Sequence, residues 1–143
     1  LRALQNISDI LAKTEQIEGT YVNKIKFLVN EHLHQLILNS QEYKLLAREY
    51  SDLGNKDRTP YSTSLFQQNL SQMINLIEQA KHNKEIIEQC DSRILAFQLI
   101  SPHFSYIVFQ RMFVQIFKEL DHTNYEHFSE ALTENLLNGI LRK

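Results

Sequence analysis

Glycine and proline are scarce, at three and two in 143 residues. Tight turns lean on these two residues, so a fold built from many short strands is disfavoured and an all-helical one is favoured. Cysteine occurs once, at Cys90. An internal disulfide is therefore excluded, which argues against a disulfide-braced secreted domain and for a reducing, cytoplasmic setting. The formal net charge is only −2, and the lysines and arginines form no stripe. Phosphate binding needs clustered basic side chains, so this chain by itself is a poor nucleic-acid binder. No secretory leader is visible. A glycine-rich phosphate loop, a Gly-x-Ser-x-Gly elbow and a paired-cysteine motif are all missing, and with them any support for an enzyme. Long apolar runs are missing too. A membrane span needs about 20 mostly apolar residues, whereas no unbroken run in the most apolar segment is longer than that of Tyr106, Ile107, Val108 and Phe109.

That segment, residues 94–120, is the most informative part of the chain. It holds five of the eight phenylalanines, Phe97, Phe104, Phe109, Phe113 and Phe117. Up to Phe117 its single formal charge is Arg111, and Pro102 lies in its middle. A helix apolar on nearly all sides cannot face water. It needs cover from its own domain and from something more, a partner chain or a bound molecule. Pro102 removes one backbone hydrogen bond and predicts a bend there.

The 3.6-residue periodicity predicts six helices in one domain, residues 1–143. They cover residues 1–16, 21–38, 41–53, 61–83, 91 or 92 to about 120, and 124–142. No strand is expected. The first carries Leu4, Ile7 and Leu11 on one face. Because it opens in mid-helix at Leu1, the expectation is that something natural lies upstream. The second has Val22, Ile25, Val29, Leu33 and Leu36 on one face. Ser40 suits the N-cap of the third, which ends at Gly54. Residues 54–60 read as a loop, with Thr59 and Pro60 as N-cap and first helical position of the fourth. The fourth presents Phe66, Leu70, Met73, Ile77 and Ala80. Residues 84–91 connect it to the aromatic helix without an assignable structure. Thr123 and Glu126 fit a capping box before the last helix, whose stripe is Tyr125, Phe128, Leu132, Leu136 and Gly139.

Past Pro102, Tyr106, Phe109, Phe113, Ile116 and Leu120 alternate by three and four residues, a coiled-coil-like seam. The last helix offers another. Two such helices from each of two chains would form an intermolecular four-helix bundle, or both seams close one monomeric core. For the aromatic helix, apolar elsewhere too, a second burial partner is the reading preferred here. A symmetric homodimer through Phe113, Ile116, Phe128, Leu132 and Leu136 is expected, two-fold dimers being the commonest soluble oligomers. Gly139 lets two helix ends approach or ends a helix.

Candidate chemistry is sparse. Glu31 and His34 make one Glu-x-x-His, whereas a di-iron bundle needs two. His32 and His34 diverge by about 200° around a helix. No metal site and no cofactor are expected. His127 and Glu130 read as a surface pair. Arg111 either snorkels to solvent or meets an acid across an interface. Cys90 lies beside Asp91, which does not favour a thiolate. His103 is the notable histidine, either buried, neutral and singly hydrogen-bonded, or a polar anchor in a mostly apolar pocket.

Two stretches carry a family resemblance. VNKIKFLVNEHLHQLILNSQEYKLLAREY, residues 22–50, resembles the helix pair that opens the C-terminal domain of TetR/AcrR-type transcriptional regulators, with its Asn/Ser turn and EYxxLLxRE helix. FSEALTENLLNGILRK, residues 128–143, looks like that family's closing helix, with its Leu-Leu-x-Gly-Ile pattern. The family's N-terminal helix-turn-helix is not in this sequence, and the 84–91 connection lacks the glycine turn common there. The resemblance implies an all-helical effector-binding and dimerisation domain of a repressor. Residues 1–16 would be the helix connecting it to a DNA-reading domain, and operator DNA would be contacted only through that domain. A small apolar or aromatic effector would shift the connecting helix by population shift. Phe66, Met73, Phe97, His103, Phe104 and Tyr106 are the expected pocket lining. The alternative is a helical protein–protein adaptor without a small ligand.

Overall fold

The computed structural model describes residues 9–10, 12–14, 16–51, 60–116 and 125–140. All regular structure among them is helical: α1 (Tyr21–Leu38), α2 (Ser40–Ser51), α3 (Pro60–His82), α4 (Ser92–Val108), α5 (Gln110–Ile116) and α6 (Tyr125–Ile140). Residues 9, 10 and 12–14 are helical as well. The expected face of Leu4, Ile7 and Leu11, the 54–59 loop and Thr123 lie outside the described residues.

α1 is the central element and packs against α2, α3, α4 and α6. Its apolar positions recur by three and four, so Val22, Ile25, Leu28, Val29, Leu33 and Leu36 are all buried. Two devices fix its start. Gly19, at φ 126°, makes a turn that a side chain would strain. Thr20 then caps, its hydroxyl accepting from the Asn23 amide at 3.2 Å. At the other end the Asn39 amide donates to the Gln35 carbonyl at 3.0 Å, and the Asn39 carbonyl accepts from Tyr43 at 3.1 Å. One residue thereby closes α1 and opens α2.

The connection without an assignable structure in the sequence has a definite form. After α3, Lys84 adopts φ 61°. Its amide donates to the Lys81 carbonyl, and the Glu85 amide to the Ala80 carbonyl, each at 2.9 Å. This is the paired hydrogen bonding of a Schellman C-cap, built on lysine where glycine is usual. The turn sends Ile86 into the core and returns Glu85 to the start of α1. There its carboxylate accepts from the Tyr21 amide at 3.2 Å and the Val22 amide at 3.1 Å. A carboxylate belongs at a helix N-terminus, where unpaired amides and the helix dipole both favour it.

α4 starts at Asp91, whose carboxylate accepts from the Arg93 and Ile94 amides. The Arg93 side chain and then its amide hold that carboxyl below its usual range. Ser92 donates to Glu78 of α3. The aromatic segment divides at Phe109, and α4 runs through Pro102 without ending there. Pro102 deletes one hydrogen bond, but Leu99, His103, Tyr106 and Ile107 on both sides of it are buried. Their packing carries the helix through the proline to Val108.

The burial of α4 is also one-sided. Leu95, Ala96, Leu99, His103, Tyr106 and Ile107 face inward, while Ile94, Phe97 and Val108 are exposed. α6 is rotated from its expected face. Ser129, Thr133 and Leu137 are its buried positions, one residue on from Phe128, Leu132 and Leu136. The two small polar residues let α6 lie close on α1, and the Thr133 hydroxyl satisfies itself on the Ser129 carbonyl at 2.8 Å. Lys26 and Glu134 pair at 2.9 Å across the rim of this contact, an exposed bridge worth at most about 1 kcal/mol.

Candidate functional site

Where α1 crosses α4, two histidines meet in the core. His32 and His103 are 2% and 0% exposed. Their Nδ1 atoms are 3.0 Å apart, and the rings stack at 5.3 Å with 27° between their planes. Periodicity alone brings His32 inside, since it stands midway between the buried Leu28 and Leu36 in steps of four. His103 occupies an inward position one turn after Leu99. Phe104 of α4 abuts this pair. Its ring meets His32 edge-on at 5.6 Å and Tyr43 of α2 edge-on at 5.8 Å.

The chemistry of the pair follows from burial. Desolvation lowers the pKa of His103 to about 4. It also holds His32 well below the ordinary imidazole range, with the neighbouring His103 pushing the same way. Both rings are therefore neutral at pH 7. A bond between two Nδ1 atoms requires one ring to carry its proton there and the other to carry it on Nε2. Nε2 of His103 is buried and has no hydrogen-bond partner among the described residues. A buried polar atom left in this way costs about 1–3 kcal/mol. The arrangement supplies one fixed polar point inside an aromatic wall. Burial likewise raises the Tyr43 hydroxyl above its usual range.

The expected pocket residues separate. Met73, His103 and Tyr106 are buried, and Phe104 packs partly buried against the core. Phe97 is 66% exposed. It lies about 120° around α4 from His103, on the side away from the interior, so it does not join them. The Phe66 side chain lies outside the described residues. Two partners absent from the expected lining, His32 and Tyr43, complete the cluster. The periodicity of α1 and α2 carries that signal.

The expected interface residues separate as well. Phe113 stacks on Tyr106 at 6.4 Å, and Phe128 tilts over the same ring at 4.8 Å. Phe128 and Leu136 pack against the chain's own core, and Leu132 is half-buried. Ile116 is 61% exposed.

Among the described residues no three His, Cys, Asp or Glu side chains converge as metal ligands. His34 is half-buried, and His127 and Glu130 are exposed. Burial pushes the Cys90 thiol up, away from reactivity. Open depressions lie around the α3–α4 connection, one lined by Glu78, Lys81, Asp91 and Arg93 among others. That one mixes both charges, and neither it nor the depression beside Tyr21 and Glu78 includes the histidine pair. No described helix is long and apolar enough to cross a membrane. Comparison with known proteins gave no matching family model, curated protein or solved structure.

Proposed function

We propose that this chain is the effector-sensing and dimerisation half of a TetR-type transcriptional regulator, without catalytic activity of its own. On this reading DNA is contacted by a separate helix-turn-helix domain. The observation that carries the sensing role is the His32–His103 pair, a buried polar point walled by Phe104 and Tyr43. A small apolar or aromatic molecule with one hydrogen-bonding group would enter between α1 and α4 and engage the unpartnered Nε2 of His103. Separating those helices moves α1, and with it the segment before Gly19. That is the differential contact a population shift requires.

The test uses an aromatic anionic probe, anilinonaphthalene sulfonate, titrated against the folded chain. One molecule per chain is expected, with binding weakened at least tenfold by Phe104→Ala. Binding unchanged in a folded Phe104→Ala variant would move the sensing site elsewhere. The adaptor reading draws on a different observation, the outward side chains Ile94 and Phe97. A chain that binds no probe and no second copy of itself would favour it.

A further inference from the structure

The outward side of α4 and α5 forms one stripe. The Phe109 amide bonds to the Ser105 carbonyl and the Phe113 amide to the Phe109 carbonyl, so the helical hydrogen-bond ladder continues across the junction between the two helices. At about 100° per residue, Ile94, Phe97, Gln98, Ser101, Ser105, Val108, Phe109, Met112 and Ile116 then all fall within a sector about 120° wide. None of the nine carries a charge. Six are large and apolar, and each of those is between 44% and 66% exposed. The charged neighbours Arg93 and Arg111 lie just beyond its edge, and Arg93 is already engaged by Asp91 at 3.2 Å.

The stripe is also palindromic about position 103. Ile94 and Met112 are equidistant from that point, as are Ser101 and Ser105. Phe97 and Phe109, and Gln98 and Val108, are equidistant from it too. Large apolar side chains thus occupy both ends and small serines the middle. We infer that this stripe docks on the same stripe of a second copy, antiparallel, with α4 crossing α4 at Ser101 and Ser105. An isologous two-fold contact needs a self-complementary surface, and the palindrome supplies it. The serines let the two backbones approach, and each Ile94–Phe97 end covers the partner's Val108–Met112 end. The exposed apolar side chains offer about 600 Å², the top of the range for a monomer's largest patch, about 300–600 Å². Two copies would bury about 1,200 Å² from these side chains alone, where specific interfaces begin.

This inference deepens the dimerisation part of the proposed function and rests on it. It differs from the expected contact through Phe128 and Leu136, both of which pack partly buried against the chain's own core. The test is cross-linking in a Cys90→Ser background. Ile94→Cys combined with Met112→Cys is expected to give a disulfide-linked dimer under mild oxidation, and Ile94→Cys alone is not. Phe97→Glu, at an exposed position, is expected to weaken the dimer at least tenfold by sedimentation while the circular dichroism spectrum is unchanged. Val108→Glu serves as the second variant should the first not fold. Cross-linking through Ile94→Cys alone would indicate a parallel pairing and overturn the antiparallel register. A dimer indifferent to both glutamates and without the paired cross-link would overturn the stripe but leave dimerisation standing. A wild-type monomer at 100 micromolar would overturn both and leave the stripe to a different protein.

Discussion

Mild acid is expected to loosen this fold, because its core holds two imidazoles that must stay neutral. His103 has a folded pKa of about 4 against an ordinary 6.5. A depressed histidine means that the unfolded chain binds protons more readily than the folded one between those values. Stability is therefore complete above about pH 6.5 and is lost as pH falls toward 4. One pKa unit corresponds to about 1.4 kcal/mol, so at pH 5 His103 alone removes about 2 kcal/mol relative to pH 7.5. His32 acts in the same direction. Against the 5–15 kcal/mol typical of a domain, that is a large fraction. Asp91 and Glu78, both held below their ordinary values, lose their contributions only at more acidic pH and do not share most of this window. The assay is urea unfolding followed by circular dichroism at pH 7.5, 6 and 5, for wild type and His103→Gln. The wild type is expected to lose stability in step with protonation. The variant is expected to lose distinctly less over the same range, whatever its absolute stability. Equal pH slopes in the two proteins, or an NMR titration placing the His103 pKa near 6.5, would refute the reasoning.

Three further outcomes follow from the helix ends. Glu85→Ala removes two charge-assisted hydrogen bonds from the start of α1 and is expected to cost about 1–2 kcal/mol in urea unfolding. A smaller loss in 1 M salt would reflect the electrostatic share. Lys84→Gly relieves the left-handed backbone at φ 61° and is expected to raise stability by about 1 kcal/mol; no gain would mean that Lys84 makes a compensating contact. A Cβ added at Gly139 meets nothing within 4 Å, so Gly139→Ala is expected to stabilise α6 by about 0.5–1 kcal/mol. A loss there would place a second chain against that turn.

Helix positions are legible because periodicity is a local property of the chain. α1 lies where Val22, Ile25, Val29, Leu33 and Leu36 put it, and α3 begins at Pro60. What periodicity does not carry depends on distant partners. His32 and His103 stand 71 residues apart, and nothing in either neighbourhood names the other. Glu85 caps a helix more than 60 residues earlier, a contact set by the turn at Lys84. The rotation of α6 is hidden because Ser129 and Thr133 look like surface residues until a neighbouring helix needs their small size. Pro102 does not end α4: its local cost shows in the sequence, while the buried side chains that offset it do not. Phe97 is near His103 in sequence, but six residues on a helix turn the two to different sides.

Sedimentation equilibrium of the chain at concentrations up to about 100 micromolar tests the reading of a self-associating sensor most directly. A mass of twice 16.9 kDa is expected, falling toward the single-chain value in the folded Phe97→Glu variant. A wild-type mass of 16.9 kDa throughout would contradict it.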